Sequence, residues 1–94
     1  MRKYELVCVI QPDLDETAFN SVVEKVKGWI SDSGGSVDKV DVWGRRKLAY
    51  IIKKHREGQF VFLNVTMNPA ATSDLERNLR YQEPIIRHML SVAV

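Results

Sequence analysis

The fold is decided by residues 36–67, which read SVDKVDVWGRRKLAYIIKKHREGQFVFLNVTM. The first part, Ser36 to Ile52, is rich in valine and aromatic residues and has a period close to two, which predicts a long strand with Gly44 as a candidate bulge. Lys53 to Gly58 is short and polar and ends in glycine, so it predicts a turn. Gln59 to Met67 is a strongly β-forming run. The stretch therefore predicts an antiparallel hairpin.

A strand and a helix precede this hairpin. Lys3 to Ile10 alternates in the manner of a strand. The helix begins at Asp13 or Asp15, because either side chain can accept hydrogen bonds from the free amides of a first turn. Gly34-Gly35 ends it, since glycine readily adopts the left-handed conformation found after helices. Apolar residues recur at helical spacing along one side of this helix: Phe19, Val22, Val23, Val26 and Ile30.

A second helix and a last strand follow the hairpin. Asn68-Pro69 breaks the preceding strand and opens a helix in which Leu75 and Leu79 lie four residues apart. Pro84 prevents this helix from continuing, and Ile85 to Val94 is a last apolar strand. The order is β-α-β-β-α-β, which predicts an α+β, ferredoxin-like fold: a four-stranded antiparallel sheet with two helices on one face.

Composition narrows the class of protein. With 94 residues there is room for one hydrophobic core, so we expect residues 1–94 to form a single domain. Cys8 is the only cysteine and lies in an apolar run, which predicts a buried structural thiol. The apolar runs are far shorter than the roughly 18 residues of a membrane helix, so we expect a cytoplasmic protein without membrane contact. The net charge is only +2, but basic residues concentrate between Trp43 and Gly58, a footprint typical of phosphate contact.

The sheet face away from the helices is the candidate partner-binding surface. If alternate residues of the first strand face the helices, Val7 and Val9 lie on the open face, and we place Phe60 and Phe62 there with them, although the sequence permits the reverse. Met89 of the last strand completes the set. Such a face suits either bases or another protein. Because the valines offer no rings for stacking, we predict protein docking, with single-strand RNA stacking as the alternative.

The candidate RNA contacts are basic residues of the hairpin, the chain start and the last strand. Guanidinium groups pair with phosphate in a bidentate manner, and lysine adds a mobile positive charge. The set comprises Arg2, Lys3, Tyr4, Arg45, Arg46, Lys47, Lys53, Lys54, Arg56 and Arg87. Structural alternatives remain: strand-edge and turn charges can be merely solvated, Tyr4 can cap the core, and Arg87 can pair with Glu5.

Catalytic and metal sites are not expected. The acidic residues at the first helix start have an ordinary capping role, and Cys8, His55 and His88 lack the spacing of metal ligands. There is no nucleophile with a plausible histidine relay, so we predict no enzyme activity. Trp29 and Trp43 are interpreted as packing residues, although Trp43 adjoins the basic stretch.

The hairpin also carries a family resemblance. Residues 44–53, GRRKLAYIIK, followed by Gly58-Gln59-Phe60, closely resemble the signature of the bacterial small-subunit (30S) ribosomal protein six family. The opening residues 1–5, Asn68-Pro69 and the last strand fall at similar places. The resemblance implies a structural constituent of the small ribosomal subunit that binds the central domain of 16S ribosomal RNA as a heterodimer with small-subunit ribosomal protein eighteen. It implies no cofactor and no small-molecule substrate.

Two other functions fit the same predicted fold. An RNA-recognition-motif-like protein would stack single-stranded RNA on its sheet, and Gly58 to Phe62 weakly echoes such an aromatic strand. A ferredoxin-like regulatory module would dimerise through its sheet or helices and would need no basic residues near Trp43. Salt-dependent RNA binding distinguishes the first from the second.

Overall fold

The computed structural model describes residues 1–93, which form four strands and two α-helices. The elements are β1 (Arg2–Ile10), α1 (Glu16–Asp32), β2 (Ser36–Ile52), β3 (His55–Met67), α2 (Thr72–Tyr81) and β4 (Ile85–Val92). All pairings are antiparallel, and the strand order in the sheet is β2-β3-β1-β4. The predicted ferredoxin-like fold is confirmed.

The ends of α1 follow from two local interactions. Asp15 is the N-cap, and its side chain accepts a hydrogen bond of 2.8 Å from the backbone amide of Ala18. Beyond the last turn, Gly34 has a φ of 88°, and the amide of Gly35 donates to the carbonyl oxygen of Ile30 at 3.0 Å. The sequence therefore contains both the start and the stop of this helix.

The hydrophobic core lies between the two helices and one face of the sheet. The apolar side of α1 packs there, together with Leu75 and Leu79 of α2. Each central strand contributes every second residue, because successive side chains of a strand point to opposite faces. These strand residues are Tyr4, Leu6, Cys8 and Ile10 of β1 and Val61, Leu63, Val65 and Met67 of β3. Removal of this apolar surface from water is the main stabilising contribution to the fold.

The hairpin turn is shorter than the predicted Lys53 to Gly58. Only Lys53 and Lys54 lie outside the strands, and their φ values are 47° and 69°. Two consecutive positive φ angles are the geometry of the two-residue turn whose twist matches that of antiparallel strands. β3 therefore begins at His55 rather than Gln59, and Glu57 pairs with Lys47 inside the ladder. The predicted turn is too long because lysine gives no sequence signal for this conformation.

Two irregularities shape β2. The register with β3 shifts between Val42 and Gly44, where Gly44 has a φ of 82°, so the candidate bulge is present and Trp43 has no direct partner. A second shift lies between Lys47 and Ile52, where the β2 segment is longer than the facing part of β3. We call the part of the hairpin from Lys47 to Glu57 the hairpin tip.

The second half of the chain differs slightly from expectation. A 3-10 turn, Pro69–Ala71, precedes α2, which begins at Thr72 rather than at Asn68-Pro69. The Asn68 side chain caps that turn by accepting a 3.0 Å hydrogen bond from the amide of Ala70. β4 ends at Val92, and Val94, the predicted end of the strand, lies outside the described residues.

Candidate nucleic-acid and protein interface

The open face of the sheet carries the predicted apolar strip. β1 and β3 pair Val7 with Phe62 and Val9 with Phe60, and β1 and β4 pair Val7 with Met89. Directly paired residues point to the same side of a sheet, so these five side chains form one surface, which we call the open-face strip. Val9 is buried beneath its neighbours, whereas Met89 is 53% exposed. The phenylalanines therefore share a face with the valines, as predicted.

Trp43 extends this strip to the β2 edge, which the sequence interpretation missed. Its ring lies parallel to that of Phe62, with centroids 5.8 Å apart and planes 4° apart. The guanidinium carbon of Arg46 lies 6.0 Å from the centroid of the Trp43 ring, within the range of a cation–π contact. Trp43 remains 47% exposed, so it is a surface platform and not a core residue. Gly44, which creates the bulge beside it, was the available signal.

The basic triplet of β2 is divided between the two sides of the hairpin. Arg46 pairs with Gly58 and reaches Trp43 on the open face. Arg45 points to the helix side, where its Nη2 donates to the carbonyl oxygen of Pro12 at 2.6 Å and its Nη1 lies 3.9 Å from Glu57. Neighbouring residues of a strand face opposite sides, so residues 45–47 cannot act as one cluster.

The hairpin tip folds towards the open face and meets β4 there. Arg87 donates a hydrogen bond to the hydroxyl of Tyr50, and its guanidinium carbon lies 5.9 Å from the centroid of the Tyr50 ring. Arg87 is thus engaged by the tip rather than by Glu5, the structural alternative considered from the sequence. Below this contact lies a groove of about 250 Å³, whose walls include Leu48 and Val9. We call it the open-face groove.

The remaining tip residues line a second, wider depression. It has a volume of about 690 Å³, and its walls include Lys47, Lys54 and Arg56 together with Glu57. These basic side chains are exposed. They line the same depression although Lys47 and Arg56 belong to different strands of the hairpin. The tip therefore brings together candidate RNA contacts from both hairpin strands.

The chain start lies far from the tip. Arg2 pairs with Met67 at one end of β1, whereas Ile10 pairs with Gln59 at the other end, next to the hairpin tip. At roughly 3.3 Å per residue the two ends of β1 are about 26 Å apart. Arg2 and Lys3 are exposed, and the charge of Lys3 contributes to lowering the pKa of Asp38. The predicted RNA contacts thus form two separate basic regions.

Tyr4 belongs to the core and not to either basic region. Its side chain is only 7% exposed and packs in the core cluster on the helix side of β1. The role of core cap, left open by the sequence, is the one its position supports. A ring enclosed in this way has no face available to a base, so we drop Tyr4 from the candidate RNA contacts.

The surroundings of Cys8, His88 and Asp38 shift the pKa values of these three groups. Burial raises the pKa of the Cys8 thiol to about 12, so the thiol is protonated and unreactive at neutral pH. Burial also lowers the pKa of His88, with smaller contributions from Arg80 and Lys53, against the opposing charge of Glu76. The pKa of Asp38 is lowered mainly by the hydrogen bond that Thr66 donates at 2.6 Å.

Metal-binding clusters and membrane-spanning helices are both absent from residues 1–93. No group of three or more histidine, cysteine or acidic side chains could hold a metal ion in this part of the chain. Among the helices described, none is long and apolar enough to cross a membrane.

Comparisons with known proteins agree with this geometry. The family model described as Ribosomal protein S6 matches residues 3–91. The small ribosomal subunit protein bS6 of Clostridium botulinum strain Loch Maree is 48% identical over 90 residues, which cover 96% of each chain. The crystal structure of 30S ribosomal protein S6 from Thermotoga maritima superposes with a TM-score of 0.92 at 33% identity, over 98% of this chain and 87% of that one. The C-terminal domain of the Mycobacterium tuberculosis MgtC protein, with a TM-score of 0.66 at 12% identity over 99% of this chain and 88% of that one, shares the fold alone.

Proposed function

The chain belongs to the ribosomal protein S6 family of the small ribosomal subunit, and we propose that it binds the central domain of 16S ribosomal RNA jointly with small-subunit ribosomal protein eighteen. The relatives are structural proteins of the ribosome and not enzymes. Their family also implies that the protein acts in the cytoplasmic ribosome. We further propose that residues 1–94 act as one domain without catalytic residues, metal or cofactor.

The open-face strip is proposed as the surface that docks the partner protein. Its apolar residues are joined to a stacked tryptophan and an arginine, Trp43 and Arg46. Aromatic and arginine side chains are typical of the residues that dominate binding energy in protein interfaces. A patch of this kind on a sheet face without helices is costly to leave in water and gains from being covered.

The basic residues of the hairpin tip are proposed as the main RNA contacts. Among residues 1–93, Lys47, Lys53, Lys54 and Arg56 have no carboxylate oxygen within 4 Å, so their charges are available to phosphate. Arg46 and Arg87 flank them, and both keep free donors beside their aromatic contacts. Arg2 and Lys3 would form a second, distant contact with the RNA backbone. Arg45 would contribute charge while its guanidinium anchors the tip to Pro12.

The observation that carries the proposal is the continuity of the two surfaces. Val9 and Phe60 of the open-face strip and Lys47 of the tip line the same open-face groove. A protein docked on the strip would therefore lie against whatever the tip binds. Such an arrangement makes RNA binding and partner binding mutually supportive, because each ligand finds the other already positioned.

The proposal is tested by a filter-binding titration of a central-domain RNA fragment, with and without the partner, at several salt concentrations. We expect binding that is tighter with the partner and that weakens linearly on logarithmic axes, by about 0.7 to 0.9 per phosphate neutralised. Absence of RNA binding under both conditions, with both proteins folded, would contradict the proposal. Val7→Asp and Phe62→Asp should each abolish partner docking, and normal docking by both folded variants would remove the open-face strip from the interface.

The stack of Trp43 on Phe62 also supports a second function, single-strand RNA binding on the sheet. Bases stack on exposed aromatic rings with little dependence on sequence, and Trp43 offers such a ring beside Arg46. Quenching of Trp43 fluorescence by a single-stranded oligonucleotide, in the absence of any protein partner, would favour this function. A Trp29→Phe background leaves Trp43 as the only tryptophan reporter.

A further inference from the structure

A small basic groove lies beside the hairpin turn and shares Arg87 and His88 with the open-face groove. It has a volume of about 210 Å³ and is formed by the turn, the C-terminal end of α2 and the start of β4. Its floor is apolar and includes Leu79 and Ile86, both buried. Lys53, Arg80 and His88 line its walls, and Arg87 borders it from β4. The turn, which is distant in sequence, and the consecutive elements α2 and β4 thus direct positive or protonatable groups to one place.

The charges of this groove are not neutralised locally. Within residues 1–93, neither Lys53 nor Arg80 nor Arg87 has a carboxylate oxygen within 4 Å. Arg77, one turn earlier on α2, contrasts with them, because its Nη1 lies 3.3 Å from Asp74. Arg77 is thus paired with an acid of its own helix, whereas Arg80 lines the groove without such a partner among residues 1–93.

The pKa of His88 depends on the charges around the groove. The positive charges of Arg80 and Lys53 both lower the pKa of His88, and Glu76 acts in the opposite direction, beneath the larger effect of burial. The two positive charges of Lys53 and Arg80 exceed the single negative charge of Glu76. The groove is consequently an electropositive recess with an apolar floor, which suits an anion with several acceptor oxygens.

We propose that this groove binds one backbone phosphate of the RNA, with Arg80 and His88 as contacts that act together with Lys53. The inference rests on the proposed function and adds to it a site on α2, which carries none of the RNA contacts considered so far. The planar guanidinium of Arg80 can hold two phosphate oxygens, while Lys53 supplies a mobile charge from the turn. A phosphate there would also fix the turn against α2.

The test compares Arg80→Gln with Arg77→Gln, a matched control on the same helix. In the filter-binding titration with the partner protein present, Arg80→Gln should weaken RNA affinity about tenfold, as expected for loss of a charge-assisted contact, whereas Arg77→Gln should leave it unchanged. The slope of affinity against salt should fall by about 0.7 to 0.9 for Arg80→Gln only. Lys53→Gln should also weaken RNA binding. Because Lys53 lies in the turn and not in α2, this result would show that the weaker binding of Arg80→Gln does not come from a folding defect of the helix.

A second readout follows the protonation of His88 by NMR. Binding of a phosphate should raise the pKa of His88 relative to the free protein, because a negative charge favours the imidazolium form. The groups that face His88 are Glu76 and Arg80 of α2 and Lys53 of the turn, and the increase should be smaller in Arg80→Gln.

The outcomes are distinguishable. If the wild-type protein binds no RNA, the proposed function fails and the phosphate site with it. If the wild type binds but Arg80→Gln matches Arg77→Gln in affinity and in slope, the proposed function stands and the phosphate site is wrong. If Arg80→Gln weakens association with the partner in the absence of RNA, the groove binds a carboxylate of that protein, which also overturns the phosphate assignment.

Discussion

Trp43 lies flat against Phe62 across the β2–β3 ladder, with ring centroids 5.8 Å apart. The bulge at Gly44 leaves Trp43 without a directly paired residue in β3, and this irregularity allows its ring to stack on that of Phe62. The stack carries the aromatic surface from the middle of the sheet to its β2 edge.

Trp43→Ala should weaken partner docking by about 2 kcal/mol, the usual cost of losing an aromatic residue that dominates the binding energy of an interface. The ring is about half exposed in the free protein, so the folding free energy should change by only about 1 kcal/mol. Isothermal titration calorimetry with the partner measures the first effect and urea unfolding the second. Tyr81→Ala is the matched control, since Tyr81 is an exposed aromatic on α2. Equal affinity of Trp43→Ala and wild type would place the docking surface elsewhere.

Tyr50→Phe should loosen the hairpin tip without unfolding the sheet. The variant removes the hydroxyl that accepts the Arg87 hydrogen bond but keeps the ring beside the guanidinium group. A net hydrogen bond contributes about 1 kcal/mol, so amide hydrogen exchange across the tip should accelerate about fivefold. Tyr81→Phe provides the control. Unchanged exchange in the tip would mean that Arg87 does not restrain it.

Joint replacement of Arg45, Arg46 and Lys47 by glutamine should weaken RNA binding while the protein stays folded. The hydrogen bond of Arg45 to Pro12 is the main structural contact that is lost, and its loss should cost about 1 kcal/mol. The contacts of Arg45 with Glu57 and of Arg46 with Trp43 are exposed and should contribute less. Filter binding and thermal unfolding measure the two effects. Replacement of Lys25 and Lys27 on α1 controls for a general loss of positive charge. RNA affinity equal to wild type in the folded triple variant would exclude these residues from the RNA interface.

Gly58→Ala should destabilise the fold by about 2 kcal/mol through overpacking. A Cβ atom at this position would lie 2.3 Å from Cγ1 of Val9, beneath the open-face strip. Gly28→Ala is the contrasting variant, because a Cβ there meets nothing within 4 Å and glycine inside a helix costs about 1 kcal/mol relative to alanine. Chemical unfolding should show opposite signs for the two variants. A neutral Gly58→Ala would show that the strip can shift to admit a methyl group.

The pH dependence of stability should contain a contribution from His88. Its folded-state pKa lies below the reference value of 6.5, so the unfolded chain binds the proton more readily. The stability contributed by neutral His88 is therefore complete above pH 6.5 and is lost as the pH falls below that value towards the lower folded pKa. His88→Gln should flatten the unfolding free energy in this window. The same slope in wild type and variant would assign the dependence to other groups.

The order of elements and the two sides of the sheet were predictable from the sequence, because both depend on local periodicity. Strand alternation places Val7 and Val9 opposite Leu6 and Cys8 whatever the rest of the chain does. The capping carboxylate and the glycine stop of α1 are likewise encoded within a few residues. The family signature in the hairpin is also a local feature, so the sequence alone carries the resemblance.

The composition of the candidate site depended on contacts that no local pattern contains. Trp43 was expected to be a packing residue, but the bulge at Gly44 places its ring on the surface. Strand alternation places Arg45 and Arg46 on opposite sides of the hairpin. The groove that unites Lys53 with Arg80 joins a turn to a helix that follows it in the sequence by a full strand. Side-chain periodicity is set by the backbone of each element. Contacts between residues of different elements depend instead on how the hairpin bends over the sheet, and only the tertiary structure determines that bend.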